Sequence, residues 1–356
     1  MRIGILTHHF VNNFGAFLQA YALRETLAKE FPDDTVEIID YMYLKQYAIN
    51  SLGWVRPHPD KENFRCWFAK IRVPWTFARA RKKHMVLSER CYSTEQVNRL
   101  GYDTIVFGSD EIWNYQDKKS NGKFKFGYGI TCKNKIAYAP SVGNSCGDVP
   151  QYVRNGIKEF CAVSVRDDLT EALVEDVLGT TPDYVLDPTF LTEFPRVSSR
   201  VKKPYILFYY CDHLPANQKK QILEYAKEHG LAVYGAGESD KCFDELTVNI
   251  TPFEWIDMFR NAEFVFTGTF HGVVFSLLNK RPFRVYLTNK SRIEKVNALL
   301  RVCEIDNCAI EEGFAFNLTE EKDRINYEKT YELLNKQRKK SVDYLRNAIL
   351  SGRNTD

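Results

Sequence analysis

The residue of this chain best suited to acid–base work is His271, which with Gly272 follows the apolar run Glu263-Phe264-Val265-Phe266-Thr267 and opens helical spacing over residues 271–279. An imidazole with an ordinary pKa of about 6.5 can hold or release a proton near neutrality. At a helix start it also stands beside backbone N–H groups and the positive end of the helix dipole, which together make an anion site. Gly272 would let a phosphate approach the backbone closely. The bland alternative is a histidine that only caps a helix against the core. The helix end lowers the pKa of His271 and a bound dianion raises it, so its resting charge stays open.

Further candidates lie at other strand ends. Arg166 closes the run Ala162-Val163-Ser164-Val165, where a guanidinium could offer a planar fork to a carboxylate or phosphate, or could pair with Asp167 or Asp168 at the surface. Asp110 follows Gly108 and Ser109. It could take a proton from a hydroxyl or orient it, and a turn cap is the competing role. Asp187, just ahead of Pro188, reads as a hinge or cap rather than a base. Asn13 and Gly15 lie where the first strand feeds the first helix, a second helix-terminus site for an anion or a sugar, or simply a tight turn. Trp113 could stack on a sugar ring or fill the core. His8 and His9 are adjacent and point to opposite sides if the strand runs through them; neither makes a metal pair. Gly235-Ala236-Gly237 follows a strand, but Asp240 stands where a dinucleotide fingerprint needs its third glycine, so the segment reads as a turn.

These positions need elements to hold them. Apolar runs at residues 2–7, 36–41, 104–110, 136–141 and 162–166 alternate with helical spacing at 12–23, 151–160 and 168–178, the pattern of a mostly parallel sheet. A polar, basic stretch at 195–204 reads as a linker. A second alternating series follows, with strands at 205–210, 231–234 and 263–267, helices at 216–229, 252–261 and 271–279, and a long closing helix over 328–350. At 356 residues two domains are expected, 1–194 and 195–356, with a helical insertion near 55–90. In open parallel sheets, ligands bind outside the carboxyl ends of the strands, where the candidate residues above cluster.

Composition narrows the classes. A net charge of +3 on 49 basic and 46 acidic residues gives no case for a nucleic-acid partner. The nine cysteines stand singly, without the close pairs of zinc or redox sites, and read as reduced. No metal cluster is visible, so activity is expected to survive a chelator. No stretch reaches the roughly 20 apolar residues of a membrane span, and no export signal opens the chain, which together predict a cytoplasmic protein. Segment 64–84 interleaves aromatics with cations, a composition suited either to peripheral contact with the inner face of the plasma membrane or to a helical hairpin packed on the first domain.

Four stretches, in order, resemble the polysaccharide pyruvyl transferase family. They are Asn12-Asn13-Phe14-Gly15-Ala16 with Gln19-Ala20-Tyr21-Ala22-Leu23; Gly108-Ser109-Asp110-Glu111-Ile112-Trp113-Asn114; Ser164-Val165-Arg166 with Val185-Leu186-Asp187-Pro188-Thr189; and Thr269-Phe270-His271-Gly272 with Pro282-Phe283. The resemblance implies an α/β, GT-B-like fold of two Rossmann-like domains facing across a cleft, the first serving the acceptor and the second phosphoenolpyruvate. It implies transfer of pyruvate as a ketal to a hydroxyl pair of a galactose- or mannose-type hexose, in a bacterial surface polysaccharide such as a capsule or exopolysaccharide, or in its lipid-linked precursor. Phosphate is released, and phosphoenolpyruvate is the donor substrate with no further cofactor. Such chemistry needs an acid to protonate the donor methylene, a base for the hydroxyls and positive groups for phosphate and carboxylate. His271 and Asp110 are the candidate catalytic pair; Arg166, Thr269, Gly272, Asn13, Gly15, Trp113 and Asn114 are the candidate substrate contacts. Many relatives carry arginine where this chain has Thr269, so the cation for the donor has to come from elsewhere. A nucleotide-sugar glycosyltransferase of the same fold and a non-catalytic carbohydrate-binding protein are the rival readings.

Overall fold

A computed structural model of the chain describes all residues except 59–62, 120, 199–200, 202, 212–213, 288–289, 311–315 and 354–356. Parts of the expected insertion and linker therefore lie outside the described residues. The chain forms two compact units, one of Met1–Ser51, Arg81–Glu193 and Asn335–Asp356, the other of Leu52–Ala80 and Phe194–Leu334.

The elements run β1 (Arg2–Leu6), α1 (Phe14–Glu30), β2 (Thr35–Ile38), α2 (Leu44–Val55), α3 (Phe64–Lys70), α4 (Val73–His84), α5 (Thr94–Arg99), β3 (Thr104–Phe107), β4 (Asn134–Ala137), α6 (Gln151–Lys158), β5 (Ala162–Val165), α7 (Asp168–Leu178) and β6 (Asp183–Tyr184). All six strands pair in parallel in the order β2-β1-β3-β4-β5-β6. Ile3, Ile5, Val106, Phe107, Ile136 and Val165 are buried, as unbroken apolar strands covered on both faces must be. Ile5 pairs with Ile38 on one side and Val106 on the other. The chain thus leaves β1 in one direction, returns, and leaves in the other, which makes a topological switch point between β1 and β3. Local signals hold the helices. Asn13 caps α1 by accepting from the Ala16 N–H, and Asp167 caps α7, which ends on Gly179 at φ 73°.

The second unit continues with β7 (Tyr205–Tyr209), α8 (Ala216–Glu228), β8 (Ala232–Gly235), α9 (Pro252–Asn261), β9 (Phe264–Thr267), α10 (Phe270–Leu278), β10 (Phe283–Val285), α11 (Lys290–Val302) and α12 (Leu318–Glu321). Its four described strands are parallel in the order β10-β9-β7-β8, with Leu207 between Tyr234 and Val265. The switch point here falls between β7 and β9. Ile206, Phe208, Ile222, Val233, Phe264 and Phe266 form the core. A capping box of Thr251 and Glu254, with Pro252 in the first turn, fixes the start of α9.

Two boundaries depart from the sequence reading. The closing helix, α13 (Tyr327–Arg353), belongs from Asn335 onward to the first unit rather than the second. Leu345 and Ile349 are fully buried, Tyr344 donates to the Ala137 carbonyl at 3.1 Å, and the Leu186 N–H donates to Ser341 Oγ at 2.9 Å. Conversely, Leu52–Ala80 belongs to the second unit. Val73 and Phe77, one helical turn apart, are buried, and Thr76 bonds Asn249 at 2.7 Å. Helical spacing shows which face of a helix is apolar and is silent on what covers it.

If α13 is structural for the first unit, Leu345→Ala is expected to cost about 2–5 kcal/mol of unfolding free energy in urea titration. A loss under about 1 kcal/mol would place the helix outside the core.

Candidate active site

At the carboxyl edge of the first sheet, β3 runs into Gly108, Ser109 and Asp110, with a cis peptide between the first two. Gly108 has φ 133°, and a Cβ there would lie 2.0 Å from the Tyr138 carbonyl oxygen, so only glycine fits. Ser109 is locked in place. Its N–H donates to Gln19 Oε1 at 3.1 Å, and Gln19 in turn donates to Thr7 Oγ1 at 2.8 Å. Arg166, one residue beyond β5, donates through Nη1 to Asp187 and to Ser109 Oγ at 3.2 Å, and through Nη2 to Asp110 Oδ1 at 3.3 Å. Thr189 completes the Asp187 shell by donating from its N–H at 3.0 Å and its hydroxyl at 2.6 Å. Burial pulls the Arg166 pKa down, but Asp187 and then Asp110 outweigh it and leave the guanidinium above its ordinary value. The Asp187 side chain is 0% exposed and that of Asp110 19%. Asp110 is thus the carboxylate of this network that reaches outward.

The strand β1 stops at Leu6 and does not run through the two histidines beyond it, which still take different partners. His9 Nε2 lies 3.0 Å from Asp40 Oδ1, whose Oδ2 accepts from Arg90 at 2.9 Å. Burial raises the Asp40 pKa, yet His9 and Arg90 together hold the carboxyl below its usual range. His8 Nε2 lies 2.6 Å from Lys125 Nζ, which also donates to Gln46 Oε1 at 3.3 Å. Burial and then Lys125 push the His8 pKa well down, and burial brings Lys125 to about 7. The pair therefore spends much of its time neutral near physiological pH.

In the second unit, β9 leads through Gly268 into α10. Thr269 caps the helix, its Oγ1 accepting from the Gly272 N–H at 3.0 Å, while its own N–H donates to Thr267 Oγ1 at 3.2 Å. His271 is half-buried on the first turn, with its ring edge-on to Phe270 at 5.4 Å. A Cβ at Gly268 would meet the Tyr210 carbonyl oxygen at 2.5 Å. The Arg292 guanidinium lies 5.0 Å over the Tyr210 ring. Arg284, by contrast, is buried in a two-pronged pair with Glu321 at 2.7 and 3.0 Å.

The model of the polysaccharide pyruvyl transferase family matches residues 13–291. This chain belongs to that family. No curated protein matches the sequence significantly. Among solved structures, a UDP-GlcNAc 2-epimerase from Neisseria meningitidis aligns over 100% of both chains at 9% identity and TM-score 0.50. A putative UDP-N-acetylglucosamine 2-epimerase from Listeria monocytogenes aligns over 98% of this chain and 91% of its own at 10% identity and TM-score 0.50. At such identities the likeness is one of fold, and the fold is GT-B-like α/β.

In this pyruvyl transferase family member the geometry revises several expected contacts. Arg166 is engaged by Asp187 and Asp110 rather than open to a ligand or paired with Asp167, so it positions Asp110. Asp110 precedes a 3-10 turn over Glu111–Trp113 and makes no side-chain cap, which removes the turn-cap role. Trp113 is 0% exposed, stacked on Phe126 at 5.6 Å and donating to the Lys125 carbonyl at 3.0 Å; it is core and no sugar platform. Asn114 is buried and closes its own loop, accepting from the Asp117 N–H at 3.0 Å and Ser145 Oγ at 2.9 Å. The Asn13 oxygen is used as the cap of α1, and Gly15 is buried in that helix. At Gly272 a Cβ would sit 1.9 Å from Thr267 Oγ1, so glycine serves the seating of α10 on β9. His271 and Thr269 keep their places at the helix start. Among the described residues no group of three or more His, Cys, Asp or Glu could hold a metal, and no helix is long and apolar enough to cross a membrane. Lys125 and Arg292 escaped the sequence reading; the only trace of Lys125 is the alternation of Lys123, Phe124, Lys125 and Phe126, which tucks one cation inward with the aromatics.

Removing the carboxylate in Asp187→Ala leaves a buried guanidinium short of its main partner, and is expected to cost about 3–5 kcal/mol in urea unfolding. Lys125 has a depressed pKa in the folded state, so the unfolded chain binds more protons between about pH 7 and 10.4, and stability rises with pH across that window. From pH 7 to 9 the wild type should gain about 2 kcal/mol relative to Lys125→Met. Parallel stability curves would exclude a buried, titrating Lys125.

Proposed function

We propose that the protein transfers pyruvate from phosphoenolpyruvate to a hydroxyl pair of a galactose- or mannose-type hexose, in a bacterial surface polysaccharide or its lipid-linked precursor. The observation that carries this reading is His271 on the first turn of α10, at the switch point of the second sheet, in a chain of the pyruvyl transferase family. His271 as imidazolium protonates the methylene carbon of the donor. One sugar oxygen bonds to the carbon bearing the phosphate and loses its proton to a base. The bond from that carbon to the phosphate oxygen then breaks. The second hydroxyl closes the ketal as it loses its proton; of the two hydroxyl protons, one restores His271 and the other leaves with phosphate.

The donor carries two anionic groups, and Thr269 supplies no charge. Arg292, over Tyr210 beside Gly268, is the cation we assign to them, together with the positive end of α10. The fold alone would equally suit a nucleotide-sugar enzyme, as the UDP-GlcNAc epimerases illustrate, and it is the family match that favours pyruvyl transfer.

Phosphate release from phosphoenolpyruvate across a panel of galactosides and mannosides tests the reading. His271→Gln is expected to lower kcat about 10²–10⁴-fold with an unchanged thermal melt, and Arg292→Met to raise the KM for the donor at least about tenfold. Turnover of nucleotide sugars, with no phosphate released from phosphoenolpyruvate by any acceptor, would overturn it.

A further inference from the structure

Of the eleven large apolar side chains that stand most exposed among the described residues, five fall in one segment of the second unit: Leu52, Val55, Phe64, Phe68 and Trp75. Phe64 is 77% exposed, Leu52 67% and Trp75 64%. Single exposed apolar residues are ordinary, but such a concentration marks an interaction surface.

Local packing does not account for it. On α3, Trp67 and Lys70 turn toward the end of α2, where they donate to the carbonyls of Val55 and Arg56, each at 2.8 Å. The Phe64 ring lies 5.7 Å from that of Trp67 and stacks on Phe68, one turn on, at 6.4 Å, and the Arg72 guanidinium covers Phe68 at 4.3 Å. On α4, Val73 and Phe77 are the buried face and Trp75 and Arg79 the exposed one. Both helices therefore satisfy their inner faces and still present aromatics and arginines outward.

The charge of the stretch says what it would meet. Residues 44–84 contain ten Lys and Arg against only Asp60 and Glu62, a balance of +8 in a chain whose total is +3, so the remaining residues carry a net −5. Protein interfaces favour aromatics and arginine but deplete lysine, and this segment also holds Lys45, Lys82 and Lys83. Aromatic rings seated at headgroup depth, with cations on lipid phosphates, are the pattern of an interfacial helix.

We propose that α3 and α4 form a peripheral docking face for an anionic bilayer, with Phe64, Phe68 and Trp75 entering the headgroup region and Arg72 and Arg79 pairing with lipid phosphates; Arg65 instead lines a cavity with Glu238, Asp240, Asp244 and Glu245. The face lies in a segment that provides none of the residues assigned to pyruvyl transfer, so it stands or falls independently of that chemistry. It would suit an acceptor carried on a lipid.

Co-sedimentation of the full chain with vesicles of phosphatidylcholine plus phosphatidylglycerol, and of phosphatidylcholine alone, tests the proposal. Binding is expected to the anionic vesicles, with little to the neutral ones, and to weaken as salt is raised. Phe64→Ser with Trp75→Ser should lower the partition coefficient about tenfold or more, with the thermal melt unchanged. Arg72→Glu with Arg79→Glu should do the same by charge, which keeps the test open if the first variant misfolds. Absent binding by the wild type, equal binding to neutral vesicles, or binding untouched by folded variants of both kinds would overturn it. So would a concentration-dependent dimer abolished by Phe64→Ser with Trp75→Ser, which would make the face a contact between copies of the chain.

Discussion

The first unit is organised around a guanidinium that has been taken out of water. Arg166 stands at the carboxyl edge of the sheet with its charge divided between Asp187, fully buried, and Asp110, partly open. A charge in that position is tolerable only while its partners are held in place. The partners come from every neighbouring strand end. Ser109 follows β3, Ala139 follows β4 and accepts within 2.9 Å of Ser109 Oγ, Asp187 follows β6, and Thr7 and Gln19 bring in β1 and α1. Even α13 is tied to this edge, because Leu186, next to Asp187, donates its N–H to Ser341 and accepts from Tyr138 at its carbonyl. The loop of Asp110 is thereby fixed by the packing of the whole sheet.

The second unit reaches a similar end without a buried charge. There the carboxyl edge is built by close approach: Gly268 against the Tyr210 carbonyl, Gly272 against Thr267, and two threonine hydroxyls 3.3 Å apart between strand and helix. Small side chains let α10 sit low on β9, which aims the first turn and the His271 that it carries. A larger residue at 272 would lift the helix start, since the clash is with Cβ and Oγ1 of a buried strand residue rather than with the end of a long flexible chain.

Periodicity made the architecture legible, because strands buried on both faces are apolar without interruption and the helices between them keep their caps and stops in sequence. The candidate loops were legible for the same reason, since they follow those strands directly. Partners were not. Arg166 has Asp167 and Asp168 beside it in sequence, yet pairs with Asp187, because Asp167 caps α7 through the Thr170 N–H. Trp113 and Asn114 have the residue types of a sugar site and are absorbed by packing, whereas Lys125 has the type of a surface residue and is inside. In each case the deciding fact is which element lies opposite, a long-range property that local spacing does not carry.

The exchange at position 269 follows the same logic. An arginine there, as in many relatives, would bring charge to the donor but could not accept the hydrogen bond that a helix start wants. Thr269 does accept it, from Gly272, and a cap of this kind contributes about 1 kcal/mol. In the proposed reading the charge comes from another element: Arg292 of α11 lies over Tyr210, whose backbone N–H is itself held by Glu238 at 2.9 Å. A cation stacked on an aromatic ring is oriented by that ring and loses less freedom on meeting an anion than one on an unsupported stem. On that reading, separating the cap from the cation lets α10 keep a well-formed first turn for His271 while the proposed anion contact sits on a different helix.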